Sequence, residues 1–61
     1  SEETLQAITD LLTTLDKDWE KDFLPLCSDI FKRPILEASD LTEEEAQKGF
    51  NFLQKKAKAA A

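Results

Sequence analysis

Four acids at alternate positions, Asp16, Asp18, Glu20 and Asp22, are the first residues in this chain whose spacing could do chemistry, because a calcium loop presents oxygen ligands in that way. Such a loop also needs glycine at its sixth position and a bidentate glutamate at its twelfth. Counted from Asp16, those places hold Lys21 and Cys27, so the acids read as the solvated start of a helix. Cys27 could act as a nucleophile only if its pKa were lowered, usually by a nearby histidine. The chain has no histidine, acids flank Cys27 in sequence at Asp22 and Asp29, and it lies beside the apolar stripe. It therefore reads as a small core filler. One cysteine without histidine also argues against a zinc site. Thirteen acids are available for acid–base work, but no pattern singles out two of them. The chain reads as a non-enzyme that carries no cofactor.

Phe52 is different. At 100° per residue it points about 120° away from the centre of the apolar stripe of its own helix. Lys48 and Lys56 lie one turn away, with Lys55 and Gly49 at three residues. An aromatic ring among three lysines, beside a glycine that leaves a shallow spot, suits a peptide that carries acids and a hydrophobic end. The plainer reading is a core flank with lysines snorkelling over it, and the two are compatible.

The elements that must hold this patch are helical. One glycine, no tyrosine and no alternating run leave little strand signal, whereas the period of three and four is strong. Leu5, Ile8, Leu12 and Leu15 share one face of a first helix over about 2–16, starting near Ser1. Trp19, Phe23, Leu26 and Ile30, widened by Leu24, Cys27 and Phe31, form the broad stripe of a buried second helix over 17–33. Asp16 is its expected N-cap and Pro34 is expected to stop it; Pro25 either kinks it, the favoured reading, or marks a helix that begins nearer Asp22. Thr42-Glu43-Glu44-Glu45 reads as a capping box that opens a third helix over 43–58, with Leu41 stapling onto Ala46. Its stripe is Ala46, Phe50, Leu53 and Ala57, and the alanine tail from Ala59 is expected to fray. The fold class is all-α, a small three-helix bundle with Trp19 and Phe23 in its core.

Sixty-one residues make one domain, without internal disulfide or repeat to stabilise it. No apolar run approaches the ~18 residues of a membrane span. The lone thiol and the 34% of charged residues suit a reducing cytosol. Net charge is −5, unevenly spread: residues 1–30 carry −6 and residues 31–61 carry +1, with four lysines and no acid in the last sixteen. An acidic body is repelled by phosphate, which disfavours free-standing binding to nucleic acid. The competing reading is a small helical nucleic-acid-binding domain of the helix-turn-helix type. It has the lysine-rich last helix in its favour and Glu43, Glu44 and Glu45 at that helix's start against it. The serine start suggests a piece of a longer protein, and the isolated domain is expected to be a monomer.

Three stretches carry a family resemblance. They are Leu15-Asp16-Lys17 followed by Trp19; Leu24-Pro25-Leu26-Cys27-Ser28 followed by Ile30-Phe31 and Arg33; and Ser39 to Lys56, with Leu41-Thr42, Glu45-Ala46, Lys48, Phe52-Leu53 and Lys56-Ala57. Over nearly the whole chain, without gaps, these resemble the C-terminal domain of the Red-beta family of phage single-strand annealing proteins. Glu43, Glu44, Gln54 and Pro34 depart from the lambda member, as in a close homologue. The resemblance implies a C-terminal docking domain in the cytoplasm of a bacterial host cell. A separate N-terminal domain would contact DNA. This domain would bind the phage's partner 5′–3′ exonuclease and the acidic tail of the host single-stranded DNA-binding protein, which ends in an aromatic residue. The residues expected to meet those partners are Lys48, Phe52, Lys55 and Lys56, extended to Lys17, Arg33 and Leu36.

Overall fold

The computed structural model describes residues 1–60. Its first helix, α1, spans Glu2–Thr14, with the Ser1 hydroxyl accepting from the Thr4 amide at 3.2 Å as its N-cap. Ile8 and Leu12 of the expected stripe are buried, while Leu5, Leu11 and Leu15 are half-buried at its margin. The helix stops two residues before the expected Asp16, because Asp16 adopts a left-handed conformation with φ 56°. Around it the Asp16 amide donates to the Thr13 carbonyl at 3.1 Å and the Lys17 amide to the Leu12 carbonyl at 2.8 Å. That is the paired closure of a Schellman motif, which satisfies the last carbonyls of the helix. Aspartate tolerates the left-handed region better than most side chains do. Asp16 therefore ends α1, and the cap of the next element passes to Asp18. Its carboxylate accepts from the amides of Glu20 and Lys21, both at 3.0 Å.

The second helical segment opens with a π turn, Trp19–Phe23, and continues as α2, Leu24–Phe31. In the π turn the Phe23 amide reaches the Asp18 carbonyl at 3.1 Å, five residues back. This is how the chain accommodates Pro25. The wider turn falls just before the ring, so Pro25 sits in the first turn of α2, where a missing N–H costs least. The expected kink is thus a change of helix type. α2 ends at Phe31 and not at 33, because Lys32 is left-handed at φ 57°.

Residues 32–42 form a folded connection. Ile35 is buried, and its amide donates to the Ser28 hydroxyl at 2.9 Å. A 3-10 turn, Ala38–Asp40, follows, with the Asp40 carboxylate accepting from the amides of Leu36 and Glu37, both at 3.1 Å. α3 spans Glu43–Ala60 and opens on the expected capping box: the Glu45 amide donates to Thr42 Oγ1 at 3.1 Å, and the Thr42 amide to Glu45 Oε1 at 3.0 Å. Leu41 packs against the core that contains Ala46, and Leu53 is buried with it. The helix runs past the expected end at 58 and on through Ala59, where fraying was expected; Ala61, the last of that tail, lies outside the described residues.

The three helices meet on Phe23, which is 1% exposed, and on the fully buried Cys27. The Trp19 and Phe23 rings stand edge to face at 5.0 Å, and the Trp19 indole donates to Thr9 Oγ1 at 3.0 Å. Gly49 brings α3 down onto this pair. A Cβ there would stand 3.0 Å from both Cys27 Sγ and Phe23 Cζ. Gly49 is therefore a packing contact and not the shallow surface spot its neighbour Phe52 suggested. Alanine in a helix gains up to about 1 kcal/mol over glycine, but overpacking a filled core costs about 1–3 kcal/mol. The buried Cys27 and the Phe23 ring would both have to give by a few tenths of an ångström. Gly49→Ala is expected to destabilise the chain by about 1 kcal/mol in urea unfolding, against the helix-propensity trend.

Candidate functional site

Two of the seven residues expected to meet a partner line one cleft. Lys17 and Lys56 flank a cavity of about 140 Å³ whose apolar wall is Leu12, Phe23, Leu26 and Leu53, with Asp22 as its remaining lining residue. Each element brings its part for a local reason. The Schellman closure of α1 turns the chain so that the Lys17 amide donates to the carbonyl of the buried Leu12. The π turn and the first turn of α2 supply Phe23 and Leu26. Lys56 lies three residues after Leu53 on α3, hence on the same side of that helix. Asp22 is held in place because its carboxylate accepts from the Asp18 amide at 2.7 Å. Among the described residues, neither Lys17 nor Lys56 makes an ion pair. The cleft thus offers two lysines without an ion pair, and the Asp22 carboxylate, around an apolar floor.

Phe52 is 45% exposed and lies one turn before Lys56 on α3. It does not line the cleft; Lys56 connects the two. Lys48 is held by Glu44 one turn earlier at 3.0 Å, an exposed pair of little energetic weight that a partner's acid could displace. Lys55 is exposed and, among the described residues, unpaired.

Arg33 does not join this group. Its guanidinium forks onto the Glu45 carboxylate, with Nε donating to Oε2 at 3.1 Å, and also donates to the Asp40 carbonyl at 2.7 Å. It ties the end of α2 to the 3-10 turn and to the start of α3. Glu45 therefore serves both as the capping-box carboxylate and as the arginine's partner. Arg33, followed by the Thr42 amide, holds its pKa at about 2, below the usual 4.5. A carboxylate whose folded pKa is depressed contributes stability above its ordinary value and loses it as pH falls through the folded one. Urea unfolding is therefore expected to weaken between about pH 4.5 and pH 2, with a shallower decline in Glu45→Gln. An unchanged slope in that variant would mean that the fork adds nothing to stability.

Leu36, the seventh residue, is 77% exposed but lies on the connection between α2 and the 3-10 turn, against Trp19, Leu24 and Ile35. The depressions beside it share no lining residue with the Lys17–Lys56 cleft. Sequence spacing did not show that Leu12, Leu26 and Leu53 line a cleft. They looked like stripe residues, and what opens beside them depends on how three elements meet. Cys27 is sealed inside, and burial, reinforced by the charge of Glu45, raises its thiol pKa to about 11. It cannot serve as a nucleophile there. Among the described residues no cluster of histidine, cysteine or acids could hold a metal ion, and no helix is long and apolar enough to cross a membrane.

No family model matches the chain. It is 53% identical over 57 residues, 93% of its length, to Recombination protein bet of Escherichia phage lambda. The chain spans 22% of that protein's length. The similarity bears out the resemblance read from the Leu-Pro-Leu-Cys-Ser run and its surroundings.

Proposed function

We propose that this chain, a close relative of one segment of the lambda recombination protein, is a non-catalytic docking module of a phage single-strand annealing protein. It binds the acidic C-terminal tail of the host single-stranded DNA-binding protein and the phage's partner 5′–3′ exonuclease, while another part of the same protein contacts DNA. The observation that carries the reading is the apolar cleft between Lys17 and Lys56. A cavity of roughly 150 Å³ holds one benzene ring, so a 140 Å³ cleft has the size for a terminal aromatic side chain. Two ammonium groups at its mouth suit the terminal carboxylate and the acids before it.

The exonuclease meets the exposed face of α3 through Phe52, Lys48 and Lys55. Lys56 belongs to both surfaces, so the two partners compete for it, and a stable ternary complex would count against that competition. The helix-turn-helix alternative gains no support. Its recognition helix would begin with Glu43, Glu44 and Glu45, of which the last is already committed to Thr42 and Arg33.

The test is a titration of the isotope-labelled chain with a peptide of the host protein's last residues, followed by NMR. Shifts at Lys17, Leu26, Leu53 and Lys56 support the tail site. A folded chain that binds no peptide would remove the tail from its partners.

A further inference from the structure

Leu36 is an apolar knob with a fixed base. It is 77% exposed, yet the backbone on both sides of it is tied down. Before it, Ile35 is buried and its amide donates to Ser28 Oγ at 2.9 Å. At and after it, the amides of Leu36 and Glu37 both donate to the Asp40 carboxylate at 3.1 Å. A leucine held out in water this way has already lost the backbone freedom that binding would otherwise remove. Open depressions of about 350 and 440 Å³ lie beside it, with apolar walls from Trp19, Leu24, Pro25, Ile35 and Ala38. Glu20 and Glu37 are the charged residues that line them, and neither makes an ion pair among the described residues. This side of the molecule therefore has the opposite sign to the Lys17–Lys56 cleft.

We propose that the Leu36 surface is a second docking site, whose occupant is a protein segment bearing apolar side chains flanked by lysine or arginine. The depressions receive the apolar side chains, and Glu20 and Glu37 pair with the flanking cations. Charge complementarity selects this occupant, since a segment with acidic flanks would face the Glu20 and Glu37 carboxylates, which have no ion-pair partner among the described residues. The site works independently of the tail-binding cleft, with which it shares no lining residue.

The test uses two amphipathic helical peptides of equal length, one of leucine and lysine and one of leucine and glutamate. Each is titrated into the isotope-labelled chain at low salt. The lysine peptide is expected to shift the amides of Leu24, Leu36 and Ala38 while leaving Leu53 and Lys56 unmoved. Leu36→Ala, a change at an exposed position, should weaken it about tenfold. Glu20→Lys with Glu37→Lys should weaken it about five- to tenfold, an effect that fades as salt rises. Circular dichroism checks that all variants keep the parent's helicity. Equal binding of the glutamate peptide, or lysine-peptide shifts confined to other faces, would overturn the proposal. So would concentration-dependent sedimentation abolished by Leu36→Ala, which would make a second copy of the chain the occupant. The tail peptide and the lysine peptide address different faces, so failure of one reading leaves the other standing.

Discussion

Phe23→Ala is expected to cost about 3–5 kcal/mol and to leave much of the chain unfolded at 25 °C. The size of the effect follows from what the ring touches. Phe23 is 1% exposed, stands edge to face with Trp19, and fills the space left by the missing side chain of Gly49. It also forms part of the apolar wall of the lysine cleft. Its removal separates the π turn, α2 and α3 at once. At about 0.05–0.15 kcal/mol per residue, a domain this small has only ~3–9 kcal/mol in total. Phe23→Leu keeps most of the volume and should lose only about 1–1.5 kcal/mol. Circular dichroism with urea titration separates the two variants. A Phe23→Ala chain that keeps the parent's helicity and loses under about 1 kcal/mol would show that the core collapses around the gap.

Reversing both cations of the cleft should have the largest effect on binding. Lys17→Glu with Lys56→Glu replaces two attractions for the acidic tail by two repulsions, and is expected to weaken tail binding by about 30- to 100-fold at low salt. Because these charges sit at the rim, the deficit should shrink as ionic strength rises past the Debye regime. Both side chains are exposed and, among the described residues, unpaired, so the variant should remain folded. Lys55→Glu serves as the control, since Lys55 is exposed on α3 but does not line the cleft. Calorimetric titration measures all three proteins. If Lys55→Glu matches the double reversal, the acids read the general field of α3 and the cleft is not the site.

What could be read from sequence here was what is decided within one or two turns. The Thr42–Glu45 box and the stripe around Ile8, Leu12, Phe23 and Leu53 are local, and they appear as expected. Asp16 was expected to cap the second helix, and Asp18 caps it instead. The choice fell to Asp18 because Asp16 was needed in a left-handed conformation to close α1, where glycine is the usual signal. Pro25 announced a disturbance, but nothing local distinguishes a kink from a π turn. The packing of Gly49 and the fork of Arg33 stayed out of view for one reason: each is made against a residue more than ten positions away. An arginine near lysines looks like part of a basic patch until its carboxylate is located. Leu36 was correctly singled out as exposed, but grouping it with Phe52 assumed that exposed apolar residues share a face.

The packing of Gly49 over Cys27 has a kinetic consequence. A thiol reagent in water needs both access and thiolate, and the folded chain withholds both, with the sulfur sealed in the core and its pKa near 11. Alkylation or oxidation of the cysteine must wait until α3 lifts from α2 or the bundle comes apart. The sulfur is thus a native reporter of opening, and needs no introduced label. Under weak reagent the labelling rate follows the equilibrium population of the open chain, and under strong reagent it follows the opening rate itself. In an oxidising environment the same arrangement sets how long the thiol survives by the lifetime of the folded state.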